Sequence, residues 1–593
     1  MRTAEVSSAT RLSLASKAGL PLPSLFDRII LPSEIQNLYT RVCRPGTELI
    51  WDRLVTELGV ETVISQEDLE RVPRTGALLV VANHPFGMIE GALLGQALSK
   101  IRPDVKVLTN HLLSGIPGLA ERCIWVDPIH PRRSPVLNRR GLREALEWLQ
   151  NGRVLVVFPS GEVSSWDFRQ RRIADPNWND IAARLIRLTG TVALPIFIHG
   201  GNSLPFHLLG IVHPRLRTVQ LTRELLNKRG RRIELAIGNR IPAEKVNHFG
   251  DSKKATRYLR WRTYLLRHRR TSKIPANTAN LVPVSAAVDA RSVQQEVASL
   301  SSDQLLVDSR EFAVYVADAQ QIPAALREIG RLRELTFRQV GEGSGKEIDL
   351  DEFDRYYQHL LLWSKANNEL AGAYRIGQTT EILTRFGVRG LYTNTLFRFN
   401  REFFNKIGPA LELGRSFIRP EYQRQHSSLL YLWKGIGAFV VRHCEAAVLF
   451  GPVSISNEYS PASRELLCRF FRDQDAGSLS RLARPRRAFR LTCLGDWDTQ
   501  LAQILDDVEL LSDPLADLEP DGKGIPILLK QYVRLGGKLL GFNVDRQFSD
   551  VLDGLILVDL RNTAPNHLTR YLGEEGSAAF LAYHGLSKRQ ASE

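Results

Sequence analysis

The chain has 593 residues and a net charge of +15, from 79 Lys plus Arg against 64 Asp plus Glu. That length holds more than one core at roughly 100–200 residues per domain, and 43% hydrophobic with 24% charged residues excludes wholesale disorder. No run reaches the roughly 18 apolar residues that cross a bilayer; the best stretch, 435–453, is broken by Arg442, His443 and Glu445. The first residues, with Arg2, Glu5 and Arg11, lack the apolar segment of a secretory signal. Five cysteines without a C-x-x-C pair point away from zinc clusters and a disulfide framework, and toward a reducing cytosol. The positive balance fits a polyanionic partner: nucleic acid, an anionic lipid surface or an acidic carrier protein.

In chain order, residues 1–50 read as an N-terminal extension and 51–270 as an α/β domain. Ala77–Ala82, Val105–Leu108, Val154–Phe158 and Val192–Ile198 are apolar runs predicted as buried strands, with helices predicted over Gly91–Leu98 and Arg139–Leu149. A further helix is predicted from Ser252 to Arg270. Tyr258, Trp261, Leu265 and Leu266 fall among Lys253, Lys254, Arg257, Arg260 and Arg262, which suits a helix lying on anionic lipid; packing of Trp261 into a core is the competing reading. Residues 271–310, rich in Ser, Ala, Val, Asn and Pro, read as a linker. A second α/β domain spans 311–580. Its predicted strands are Ala313–Val316, Leu370–Ile376, Ala410–Ile418, Ala447–Ile455 and Leu555–Leu560, and its helices Ala324–Phe337, Leu429–Val441 and Pro461–Phe471.

Asn83-His84-Pro85-Phe86-Gly87-Met88-Ile89-Glu90 follows the first buried strand. A histidine and a carboxylate at a strand end suit general-base chemistry: the carboxylate sets the imidazole tautomer while the free nitrogen takes a proton from an attacking hydroxyl. A turn with a satisfied histidine is the bland alternative. Phe158-Pro159-Ser160-Gly161-Glu162 ends a second strand, and Leu194-Pro195-Ile196 lies in a third. In this order the three motifs resemble those of the phospholipid/glycerol acyltransferase family, over about Leu54 to Arg240. The resemblance implies transfer of an acyl chain from a thioester to a lysolipid hydroxyl, without a covalent enzyme intermediate. It implies catalytic roles for His84 and Glu90, and substrate contacts for Asn83, Gly87, Phe158, Pro159, Gly161, Glu162 and Pro195. Two departures stand out: His84-x5-Glu90 replaces the family's H-x4-D, and Ser160 stands where the family places a glutamate, with Glu162 two residues on. Arg132, Arg133, Arg139 and Arg140 are candidates for carrier phosphate or lipid headgroup, or form a solvated face.

The second domain carries Arg333-x-x-x-Phe337, Asp351-x-x-Asp354, Arg375, and Glu412-x-x-Arg415 in sequence. Each alone reads as a solvated charge pair, although Glu412 on a strand face is placed to accept a proton from an amine. The ordered set resembles the acyl-homoserine-lactone synthases and, more closely, the ornithine N-acyltransferases, from about Phe312 to Arg561. The resemblance implies a GNAT-like fold, with Glu412 as the base. Arg333, Phe337, Asp351, Asp354, Arg375 and Arg415 would organise the acceptor amine and the donor's path. The usual GNAT glycine loop is weak here, since Arg424-Gln425-His426-Ser427-Ser428 lacks glycine. Gly341-Glu342-Gly343-Ser344-Gly345-Lys346 looks like a P-loop but is followed by Glu347, so a flexible loop is expected. His199-Gly200-Gly201-Asn202 resembles a lipase oxyanion loop, but no G-x-S-x-G elbow accompanies it, and a tight turn is expected.

Together the halves resemble the bifunctional ornithine-lipid synthases. The implied order is N-acylation of ornithine with a 3-hydroxyacyl chain by the C-terminal half, then O-acylation of the 3-hydroxyl by the N-terminal half. Acyl carrier protein is the expected donor, acyl-coenzyme A the alternative, and no metal or other cofactor is implied. Another amino acid such as glycine, a glycerolipid acceptor, or a non-catalytic membrane-active protein are the competing readings. Peripheral attachment to the cytoplasmic face of a membrane is expected. A nucleic-acid partner is not, because no RNP, zinc-finger or helix-turn-helix signature is present.

Overall fold

The apolar runs of the first half pair into one sheet in the computed structural model, which describes residues 33–43, 49–116, 118–128, 134–167, 172–212, 214–269, 281–423, 426–473, 477–495, 505 and 507–586. Two units divide the chain. One comprises Met1–Thr271, Gly495–Asp506 and Ala516–Gly522; the other comprises Ser272–Leu494, Asp507–Leu515 and Lys523–Glu593.

In the first unit the strands are β1 (Glu61–Val63), β2 (Leu78–Ala82), β3 (Val105–Asn110), β4 (Cys123–Val126), β5 (Val154–Val157), β8 (Val192–Ile198) and β9 (Arg232–Ile237), with a separate hairpin of β6 (Ser165–Asp167) and β7 (Arg172–Ala174). The sheet order is β1-β9-β8-β2-β5-β3-β4. All neighbours are parallel except β8 and β9. Every residue of β2 and β5 is buried, as expected of parallel strands covered on both faces, whose sequences run apolar without alternation. Because β2, β5 and β8 run the same way, Asn83, Phe158 and His199 leave the sheet along one edge, the carboxyl edge where open α/β sheets hold ligands.

The helix Ser252–Leu265 corrects one expectation. Tyr258, Trp261, Leu265 and Leu266 are fully buried, so no apolar face is left for lipid. Arg262, expected among the cations of the polar side, is buried too, with both Nε and Nη2 2.7 Å from Asp517. Trp261 packs into the core. Lys253, Lys254 and Arg257 remain exposed.

In the second unit the large sheet runs β10 (Leu305–Asp308), β11 (Phe312–Asp318), β12 (Gln358–Ser364), β13 (Glu369–Gln378), β15 (Ala410–Ile418), β16 (Val448–Ile455), β19 (Val551–Asp559) and β18 (Lys538–Asp545). A small sheet pairs β14 (Phe397–Phe399) with β17 (Ala483–Pro485). Neighbours in the large sheet are antiparallel except β15 and β16, which pair only from Ala410/Val448 to Glu412/Phe450 and then part. The parting begins at Glu412. The helix His426–Arg442 lies close on this sheet, and a side chain at Gly435 would strike Val314 at 2.5 Å.

Two loop expectations change. Within 271–310, read as linker, a helix forms over Ala290–Ala298, capped by Asp289, and sends Val293 and Val297 into the core beside Ile329. The P-loop-like segment is built around a carboxylate of the chain itself: Ser344 N, Ser344 Oγ and Gly345 N all donate to Glu334. Residues 424–425, like Arg132 and Arg133, lie outside the described residues. Among the described residues no helix is long and apolar enough to cross a membrane.

Candidate active sites

His84 sits just beyond β2, held by its backbone. Its N–H donates to Asp175 Oδ1 at 3.1 Å, and its carbonyl accepts from Ser164 N at 2.9 Å. Asp175 is itself fixed by Ser164 Oγ (2.5 Å) and Trp178 Nε1 (2.9 Å). Asn83 engages both ends of its amide on β8: Nδ2 donates to the Ile198 carbonyl at 3.0 Å, and Oδ1 accepts from Ile198 N at 2.7 Å. It thereby clamps the strand ends that carry the site. Asn83→Ala should lower stability by about 1–3 kcal/mol for each Ile198 group left unsatisfied, which a shifted urea midpoint would report.

The turn after His84 brings the displaced acid back. Glu90 opens the helix Glu90–Ser99, is fully buried, and accepts from the N–H groups of Phe86 (2.5 Å) and Gly87 (2.7 Å). The same oxygen lies 3.1 Å from His84 Nδ1, in ion-pair contact. The longer His-x5-Glu spacing is absorbed at Gly87, whose φ of +93° and lack of a side chain the turn requires; a Cβ there would meet Val163 at 2.5 Å. Burial pulls the imidazole pKa down, but the charge of Glu90, with help from Asp175, outweighs it and holds His84 above its ordinary value. Burial also raises Glu90, and His84 and the Gly87 amide more than offset it, so the carboxylate lies below its usual range.

With Nδ1 facing Glu90, the other ring nitrogen is left for a reacting proton. The ring stacks on Phe158 at 4.6 Å, at the end of β5. Phe158 to Gly161 forms a tight turn, with Gly161 at φ +65° and Pro159 receiving Asn179 N on its carbonyl. Ser160 Oγ closes this turn on the Glu162 carbonyl at 2.7 Å, and the Glu162 side chain is exposed. Pro195 is buried within β8, against Gly238, and serves packing. The His199–Asn202 loop does reach the site: Asn202 Nδ2 donates to the Phe86 carbonyl at 3.0 Å, and Gly200, at φ +118°, leaves room for the Phe86 ring.

The second site lies where β15 and β16 part. Glu412 is 1% exposed. It accepts from Tyr357 OH, from Tyr392 N (3.2 Å) and from Thr393 N (2.5 Å). A carboxylate has about four lone-pair positions, so one remains for an acceptor amine. Burial pushes its pKa above the ordinary carboxylate value, against the lowering donors Thr393 and Tyr357 and the charge of Arg375.

Arg375 stands opposite Gly414 across the β13–β15 pair, so Arg375, Gly414 and Glu412 share one face. Gly414 is buried, yet a Cβ there would meet nothing within 4 Å: there is open space between the base and the guanidinium. The register slips just beyond, between Ala373 and Arg375 of β13. On β15 the bulge holds Arg415 at φ +53° and re-aims its side chain over Tyr392 (5.0 Å) and Phe548 (4.5 Å). Phe337 supports Phe548 edge-on at 5.3 Å.

Asp351 and Asp354 form a reciprocal capping box on the short helix Glu352–Arg355, which explains their spacing. They also hold the arginines, Asp351 through its capping oxygen and Asp354 through the oxygen its cap leaves over: Arg375 to Asp351 at 2.6 Å and to Asp354 at 3.2 Å, and Arg333 to Asp354 at 2.8 Å. The two guanidiniums hold Asp354 far below the ordinary carboxylate range despite its burial. Arg415 is more loosely paired, 3.6 Å from Asp349 and 3.7 Å from Asp351. The structure thus brings together all seven residues expected of this half. Asp175, Tyr357, Thr393 and Asp349 were not anticipated; their partners lie far along the chain and no local motif marks them.

Comparison with known proteins matches the chain twice. An "Acyltransferase" family model covers residues 24–272, and an "Acetyltransferase (GNAT) domain" model covers residues 332–434. A glycine N(α)-acyltransferase of Bacteroides thetaiotaomicron is 30% identical over 266 residues, 41% of this chain and 76% of that protein. An L-ornithine N(α)-acyltransferase of Agrobacterium fabrum is 24% identical over 253 residues, 41% of this chain and 78% of that protein. A lyso-glycine lipid O-acyltransferase of Phocaeicola vulgatus is 29% identical over 191 residues, 31% of this chain and 66% of that protein.

Proposed function

The chain belongs to the GNAT-type N(α)-acyltransferases, with an acyltransferase domain on the same polypeptide, and on that premise we propose that it builds a diacylated aminolipid in two steps. It is an enzyme with N- and O-acyltransferase activity. In the first step the C-terminal half acylates the α-amino group of ornithine with a 3-hydroxyacyl thioester. Glu412 takes the amine proton as nitrogen attacks the thioester carbonyl and the thiol leaves. Arg375 and Arg415 orient the acceptor over Gly414. In the second step His84, oriented by Glu90, takes the proton of the 3-hydroxyl as that oxygen attacks the carbonyl of a second thioester, and its thiol leaves with the proton. The order follows from chemistry, because the hydroxyl acceptor arrives with the first chain.

The observation that carries this reading is the pairing of two separate bases, the half-buried His84 and the buried Glu412, each beside its own orienting groups, on one chain. The donor is an acyl carrier protein: such carriers are acidic, and the +15 balance favours their encounter. The same charge supports peripheral attachment at the inner face of an anionic membrane. The test is direct: the purified chain, given ornithine and 3-hydroxyacyl carrier protein, should yield mono- and then diacylated ornithine by mass spectrometry. Acylation of glycine in place of ornithine would reassign the acceptor, and no product from either would contradict the reading.

The pH dependence follows from His84. A general base must be neutral, so O-acylation is lost as pH falls through the imidazole pKa, which Glu90 raises above the ordinary ~6.5. The acid limb of kcat/KM for O-acylation should therefore lie above pH ~6.5. Glu90→Gln removes the charge that favours imidazolium and should move that limb to lower pH while reducing the rate.

A further inference from the structure

We infer that Asp553 and Glu342 form a subsite for the side-chain ammonium of a dibasic amino acid, and so distinguish ornithine from glycine. The inference rests on the amine-acylation reading above and supplies what the comparisons leave open, since relatives named for glycine and for ornithine both match.

Asp553 lies on β19, directly opposite Ser454 of β16 and Asn543 of β18. Ser454 Oγ donates to Glu342 Oε2 at 2.8 Å, which places the Glu342 carboxylate on the face of the sheet that Asp553 shares. Both acids are only 6% exposed. Among the described residues the Asp553 carboxylate makes no hydrogen bond and no ion pair, and the little exposure the residue keeps leaves its oxygens open to a ligand. Burial together with the like charges of Asp545 and Glu342 drives its pKa well above the ordinary value, with Arg415 opposing. Burial likewise pushes Glu342 up to about 7. A cation between them would relieve both the repulsion and the lack of a donor.

Arg415 does not fill that role. Its guanidinium is held between the Tyr392 and Phe548 rings, with Asp349 and Asp351 as its ion partners. A second observation points to a ligand with both signs of charge. Nε and Nη2 of Arg375, a residue 1% exposed, have no hydrogen-bond partner, and the open space over Gly414 lies beside them. An α-carboxylate satisfies Arg375 there and places the α-amine toward Glu412. A side chain running past Arg415 then ends at Glu342 and Asp553. Glycine has nothing to offer these acids.

The test uses the full chain, a 3-hydroxyacyl thioester, and ornithine, norvaline and glycine as competing acceptors. Norvaline keeps the carbon chain of ornithine and lacks the ammonium. The wild type should favour ornithine over norvaline at least tenfold in kcat/KM. Asp553→Asn and Glu342→Gln should each collapse that ratio, mainly through a raised KM for ornithine. Equal use of ornithine and norvaline by the wild type, or an unchanged ratio in both variants, would overturn the subsite while leaving amine acylation standing. If the variants fail to fold, the wild-type ratio still decides. Acylation of none of the three would overturn the amine-acylation reading, and this inference with it.

Discussion

Replacing His84 with alanine is expected to lower O-acylation by about 10²–10⁴-fold, about 3–5 kcal/mol of transition-state stabilisation, while amine acylation continues. The loss is specific because the loop does not depend on the imidazole. The His84 backbone is held by Asp175 and Ser164, and Glu90 is held by the Phe86 and Gly87 amides. What disappears is the proton acceptor stacked on Phe158. Cells carrying the variant should accumulate the mono-acylated lyso-aminolipid, read by mass spectrometry of lipid extracts. Normal diacyl levels would mean that the proton is taken elsewhere.

Glu412→Gln should have an equal effect on the first step, again about 10²–10⁴-fold. Glutamine is the informative substitution. Alanine would strand the Tyr357 hydroxyl and the Tyr392 and Thr393 N–H groups in a buried site, at about 1–3 kcal/mol each, and would confound activity with folding. Glutamine keeps an acceptor oxygen for Thr393 N and can turn its amide NH2 toward the Tyr357 hydroxyl. Tyr392 N loses its bond to the second oxygen but retains the Tyr357 hydroxyl as acceptor at 3.1 Å, and the amide takes no proton. Thermal melting within a few degrees of wild type, with amine acylation nearly abolished, is the expected pair of results. Full activity would reduce Glu412 to an anchor for that turn.

The strands were legible where burial on both faces leaves an uninterrupted apolar run, as in Leu78–Ala82 and Val154–Val157. Strand Gln358–Ser364 carries a weaker signal, although six of its seven residues are buried, because it opens on Gln358 and His359 directly after the capped turn. The Trp261 helix suggests a lipid-facing surface in sequence for a definite reason. Alternating cations and aromatics look amphipathic until one knows that Arg262 is neutralised by Asp517, 255 residues away. The catalytic candidates stood in short motifs and could be named. Their supports could not: Asp175 reaches His84 across 91 residues and Tyr357 reaches Glu412 across 55. Spacing misled less than it seemed to, since Gly87 folds the extra residue of His84-x5-Glu90 back into contact.

The division of labour between two active sites is tested most directly by feeding synthetic lyso-ornithine lipid and an acyl donor to the purified Glu412→Gln protein. Diacyl lipid should form at the wild-type rate, because His84 and Glu90 are intact, although the same protein makes almost no lyso-lipid from ornithine. Failure to acylate the supplied lyso-lipid, with the fold intact, would contradict the assignment of O-acylation to the N-terminal half.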